Sequence, residues 1–70
     1  MEEAIDYFKE AIRIQPDFAL AHNNLGNALF QKGAIKEAIG HYRKTLRLEP
    51  GLVSTQKNLE IALRRSEKLE

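Results

Sequence analysis

The stretch Ala19–Pro50, ALAHNNLGNALFQKGAIKEAIGHYRKTLRLEP, decides the fold. It contains two helical patterns joined at Gly33. In the first, Leu25 and Leu29 lie one turn apart and share a face, with Gly26 beside them. In the second, Ala38, Tyr42 and Leu46 recur at four-residue steps before Pro50. Gly33 is expected to end the first helix in the left-handed conformation. Pro50 ends the second, because the residue before a proline is pushed out of the helical region.

Working outward, the chain repeats itself. A shift of 34 residues lays Pro16 on Pro50, Glu3 on Glu37, Ala4-Ile5 on Ala38-Ile39 and Arg13 on Arg47. It also lays Phe8 on Tyr42, Ile12 on Leu46, Ile14 on Leu48, Asn24-Leu25 on Asn58-Leu59 and Ala28-Leu29 on Ala62-Leu63. The pattern predicts four helices, at about Glu2–Ile14, Phe18–Gln31, Ile35–Leu48 and Leu52–Leu69. In the first, Ala4, Ile5, Phe8, Ala11 and Ile12 make an apolar stripe. Glu2 and Glu3 sit at its positive dipole end, and Pro16 closes it. Asp17 is the expected N-cap of the second helix. The fourth helix repeats the second but drifts: Glu60 replaces Gly26 and Glu67 replaces Gly33.

These residues resemble the tetratricopeptide repeat (TPR), a pair of helices recurring every 34 residues with the spacing W-x2-L-G-x2-Y, A-x3-F and P. Here the spacing reads His22-x2-Leu25-Gly26-x2-Leu29, then Ala38-x3-Tyr42, then Pro50. His22 stands where the family prefers Trp, Leu29 where it prefers Tyr, and Thr45 where it prefers Ala; Ala11 fills that last place one unit earlier. The resemblance covers essentially the whole chain. It implies an all-α fold of four helices stacked as antiparallel pairs, with one full repeat flanked by two half repeats. Residues 1–16 are the second helix of a repeat, 17–50 a complete repeat, and 51–70 the first helix of the next, serving as a charged cap. It also accounts for Gly26, which costs about 1 kcal/mol mid-helix relative to alanine: two helices cross closely there.

Composition bounds what else the chain does. At 70 residues it is one small unit of modest stability. Residues 1–35 carry three Lys/Arg against five Asp/Glu, and residues 36–70 eight against five, so the halves differ, at −2 and +3. The second half thus weakly favours acidic partners. There is no cysteine, which removes disulfides and thiolate chemistry and fits a reducing compartment. MEEAIDYF lacks the layout of a signal peptide, and no apolar run approaches a membrane span. Cytoplasmic residence is the default expectation.

No catalytic constellation is present, so the chain is read as no enzyme, with no cofactor and no metal ligand. His22 and His41 lack metal-site spacing, and His22 reads as a packing residue. Gly26, Gly33 and Gly40 match no nucleotide-binding fingerprint. The basic clusters Arg43, Lys44, Arg47 and Arg64, Arg65, Lys68 lack the aromatic platforms of a nucleic-acid surface. The partner is therefore expected to be a protein or peptide.

The resemblance implies that the first helix of each unit lines a concave groove. On that face lie Leu20, Asn23, Asn24, Asn27, Phe30 and Gln31, followed by Ser54, Lys57, Asn58, Ile61, Arg64 and Arg65. Asn24 and Asn58 are 34 apart and would form two rungs of an asparagine ladder gripping a peptide backbone. Two alternatives stand beside this groove. One is a structural, self-associating unit, a homodimer or higher oligomer, with exchange of helices between chains as one arrangement. Ile5, Phe8, Ile12 and Ile61 are its candidate contacts, because the second helix covers only part of the first. The other is a carboxylate clamp for acidic C-termini, of which Asn23-x3-Asn27 and Lys57-x3-Ile61 are each a half match.

Overall fold

The computed structural model describes residues 2–69, with side chains described for residues 3–68. Four helices account for it: α1 (Glu2–Ile14), α2 (Ala19–Lys32), α3 (Ile35–Leu48) and α4 (Val53–Leu69). No strand occurs among the described residues. The order of packing follows the order of the chain. α1 lies on α2, α2 on α3 and α3 on α4, while α2 and α4 run alongside each other. Among the described residues the backbone of α1 comes close to that of α2 and of no other helix.

The helix ends follow from the residues that form them. α2 closes at Gly33, whose φ of 95° is the left-handed region. The Gly33 N–H then donates to the Phe30 carbonyl at 3.0 Å and the Ala34 N–H to the Leu29 carbonyl at 2.9 Å. That pair of bonds is the Schellman closure, which satisfies two carbonyls left open by the helix. The start of α2 departs from expectation. Asp17 is not the cap: it sits in the turn, and Phe18 takes the extended cap conformation without any side-chain bond. The Phe18 carbonyl accepts from the His22 N–H, so the helix begins one residue later than its acidic neighbour suggested.

Leu25, Leu29, Ile35, Ala38, Ile39 and Tyr42 form the centre of the core, joined by Ile5 from α1 and Ala62 from α4. Ile5 is 2% exposed, and Phe8 and Ile12 pack against the same core. Ile5 is thus closed to a second chain, contrary to expectation, whereas Phe8 and Ile12 are only partly buried, as a face covered in part by α2 leaves them. The most exposed large apolar residues of α1 are Tyr7 and Ile14. At the crossing of α2 and α3, a Cβ built on Gly26 would stand 2.7 Å from Cε1 of Tyr42, so only glycine lets the ring in. Thr45, fully buried where the family prefers alanine, donates its hydroxyl to the His41 carbonyl at 2.9 Å. Its polar atom is thereby satisfied.

Two turns in the fold are tied the same way. Nε2 of His22 lies 2.8 Å from the Pro16 carbonyl, and Nε2 of Gln56 donates to the Pro50 carbonyl at 2.8 Å. The two ties are 34 residues apart in both members. Each fastens the start of a helix to the proline that ended the one before.

Candidate functional site

α2 and α4 run alongside each other because short polar side chains join them. Thr55, fully buried on α4, donates its hydroxyl to Oδ1 of Asn23 at 2.8 Å. One turn further along α2, Oδ1 of Asn27 accepts two bonds. The Tyr42 hydroxyl donates at 2.7 Å and Nδ2 of Asn58 at 3.2 Å. Asn27 thus joins α2, α3 and α4 through one oxygen, and its own amide hydrogens are left over. Burial raises the pKa of Tyr42, which keeps the phenol neutral and donating.

Beside this junction is a cavity of about 300 Å³ lined by Asn27, Phe30, Gln31, Tyr42, Asn58 and Ile61. Its floor is aromatic and aliphatic, and its walls are amides. The Arg65 guanidinium stands over the Phe30 ring, 5.2 Å from its centre. Ile61 is half exposed, a large apolar residue at the edge of the opening. Cations ring that edge: Lys57 and Arg64 both flank Ile61, and Arg64 pairs with Glu60 at 2.6 Å. Exposed as they are, that pair contributes little to stability.

The groove residues expected from the sequence divide into three sets. Asn27, Phe30, Asn58 and Ile61 meet in the cavity, with Lys57 and Arg64 on its rim. Asn23 lies between the helices, its oxygen engaged by Thr55. Leu20 and Asn24 line a separate, smaller hollow of about 180 Å³ between α1 and α2, with Tyr7, Phe8 and Phe18. Asn24 and Asn58 therefore belong to different hollows, and the Asn24 side chain makes no hydrogen bond among the described residues. Tyr42 and Thr55 were missed as parts of this face. The one available signal was the hydroxyl itself, since a tyrosine in a wholly apolar place needs a partner for its O–H.

Among the described residues, no three His, Cys, Asp or Glu side chains gather as metal ligands, and no helix is long and apolar enough to cross a membrane. His22 is 6% exposed, as befits a packing histidine, and its Nδ1 meets Nδ1 of His41 at 3.1 Å. His41 has a lowered pKa. Burial is the main cause, with His22 and Lys9 adding to it and Glu37 opposing.

The comparisons with known proteins agree with this architecture. Residues 1–33 match a family model described as TPR repeat, and residues 19–52 match one described as Tetratricopeptide repeat. No curated protein matches the chain. TPR repeats are generally non-catalytic modules for protein–protein interaction. With the helix pairs, the glycine crossing and both models in agreement over residues 1–52, the chain belongs to the tetratricopeptide repeat family.

Proposed function

We propose that the chain binds an extended peptide segment of a protein partner across α2 and α4, and that the Asn27–Asn58 cavity is the centre of that contact. The observation that carries this is the combination at one spot of unused amide donors, an apolar floor and a cationic rim. Asn27 and Asn58 keep donors for a backbone carbonyl, Phe30 and Ile61 receive an apolar side chain, and Lys57 and Arg64 attract a carboxylate. The reading includes cytoplasmic residence, in keeping with the absence of cysteine. It also keeps the division into residues 1–16, 17–50 and 51–70, which the matching ties at Pro16 and Pro50 support. The carboxylate clamp has less support, because Asn23 is engaged by Thr55 and Ile61 follows Lys57 where a second asparagine is needed.

The test is a screen of labelled peptides by fluorescence anisotropy, followed by Asn58→Ala and Ile61→Asp on any peptide captured. Both variants are expected to weaken binding by about tenfold or more, with Ile61→Asp melting like the parent chain and Asn58→Ala losing only its bond to Asn27, about 0.5–1.5 kcal/mol. Undiminished binding by both would remove the cavity from the reading. Self-association is the second reading, favoured by the exposure of Tyr7, Phe18 and Leu20 around the α1–α2 hollow. Light scattering across a wide concentration range separates the two, since a strict monomer leaves those residues to solvent.

A further inference from the structure

His22 and His41 sit on different helices, and their Nδ1 atoms meet at 3.1 Å with the ring centres 5.3 Å apart. That spacing of centres is close to the nitrogen separation plus a ring radius at either end. The rings therefore meet edge to edge, nitrogen towards nitrogen. The protons on this pair can be assigned. The Pro16 carbonyl only accepts, so the His22 Nε2 facing it at 2.8 Å carries a hydrogen. In neutral His22 the Nδ1 is then bare, and the hydrogen between the rings must come from Nδ1 of His41. His41 keeps a bare Nε2 on a half-buried ring.

One added proton has a place to go. On Nε2 of His41 it leaves both hydrogen bonds intact and makes the one between the rings charge-assisted. A second proton finds only Nδ1 of His22, where two N–H groups would point at each other across 3.1 Å. The pair must then part. The equivalent turn at Pro50 has no such sensitivity, because Gln56 ties it with an amide that does not titrate.

We propose that the His22–His41 pair is a proton-operated latch that fastens the α1–α2 turn to α3 and releases it when both rings are charged. α1 is the element set free, since among the described residues its backbone comes close to that of α2 and of no other helix, and its turn is held through His22. The charged groups around the latch come from each neighbouring element. Lys9 on α1 opposes charge on His41, Glu37 on α3 favours it, and Asp17 lies in the turn beside the Pro16 carbonyl; no group of α4 is among those acting on His41.

The test begins with the imidazole nitrogens by NMR at about pH 8. His22 is expected as the Nε2–H tautomer and His41 as the Nδ1–H tautomer; His41 found as Nε2–H would overturn the latch. Hydrogen exchange of the Gln15 amide, bonded to the Ala11 carbonyl at the end of α1, then reports opening of the turn. After correction for intrinsic rates, opening is expected to rise by about tenfold between about pH 7.5 and about pH 5 in the parent chain. In His22→Gln, which copies the tie made by Gln56, the rise should be under about twofold. His41→Gln, with a donor that takes no proton, is the second variant and should give under about threefold. An acid response in both variants equal to the parent's refutes the proposal.

Discussion

Gly26→Ala examines the crossing that organises the fold. In isolation the change is favourable, since alanine is about 1 kcal/mol better than glycine inside a helix. The structure reverses the sign. The new methyl would stand 2.7 Å from Cε1, 2.9 Å from Cδ1 and 3.3 Å from Cζ of Tyr42. The ring has nowhere to move, being 2% exposed and held by its hydroxyl on Asn27 at 2.7 Å. Overpacking of this kind costs about 1–3 kcal/mol, and stretching the Tyr42–Asn27 bond forfeits about 1 kcal/mol more. Setting these against the helix gain leaves a net loss of about 1–3 kcal/mol. Gly40→Ala is the matched control, mid-helix on α3 with nothing within 4 Å of its added methyl. It should stabilise by about 0.5–1 kcal/mol. Urea unfolding followed by circular dichroism measures both. In a domain of this size 1 kcal/mol moves the melting point by about 4–8 °C, so the two variants should shift in opposite directions. If Gly26→Ala stabilises the chain as Gly40→Ala does, the close crossing is not what holds glycine in that place.

Other substitutions probe single contacts. Tyr42→Phe keeps the core volume and removes only the hydroxyl on Asn27; it should cost about 0.5–1.5 kcal/mol in urea unfolding and loosen Asn58 as seen by its side-chain amide signals. Thr55→Val leaves the Asn23 oxygen without its partner between α2 and α4 and should cost about 1–3 kcal/mol, with α4 losing hydrogen-exchange protection before α3. Gly33→Ala places a side chain at a φ of 95° and should cost about 1–2 kcal/mol by the same unfolding assay. The lowered pKa of His41 means that the folded chain binds fewer protons than the unfolded one. Stability is then full above the ordinary imidazole range near 6.5 and is lost as the pH falls through the folded value; His41→Ala should flatten that part of the profile in thermal melts.

What the sequence revealed and what it hid divide along one physical line. Pro16, Gly33 and Pro50 punctuate the backbone locally, and the helix ends fall within a residue of where they point. Leu25, Leu29, Ala38 and Tyr42 repeat at helical steps, and all four are buried. Periodicity reports which face of a helix is apolar, but not how much of it a neighbour covers. Ile5, Phe8 and Ile12 were therefore alike as candidates for an open face, yet Ile5 is buried and Phe8 and Ile12 are partly covered. It reports still less about polar partners. Asn23, Asn24 and Asn27 look alike on one helical face, yet one is held by Thr55, one serves Tyr42 and Asn58, and the side chain of the third makes no hydrogen bond among the described residues. The His22–His41 contact joins residues 19 apart on separate helices, a separation carrying no local signal.

Equivalent places in α2 and α4 carry different residues, which matters for self-association. α4 is the counterpart of α2, and its outer face would have to receive a helix like α3 or α1 for copies to continue the stack. Where α2 offers Gly26 to the Tyr42 ring, α4 offers Glu60, paired with Arg64 at 2.6 Å. The aromatic residue of an incoming α1 at the place equivalent to Tyr42 is Phe8, and it would meet that ion pair instead of a bare backbone. Burying the pair under a phenyl ring has a desolvation cost that packing there does not offset. Extension of the stack past α4 is thus opposed by the chain's own residues. If copies pair, the opposite side offers Tyr7, 71% exposed and lining one hollow with Leu20 and Phe18. Tyr7→Lys with Leu20→Lys should then abolish any dimer seen by light scattering, whereas Glu60→Ala should leave its mass unchanged. A dimer that survives the two lysines would place the contact elsewhere and undo this assignment of the open side.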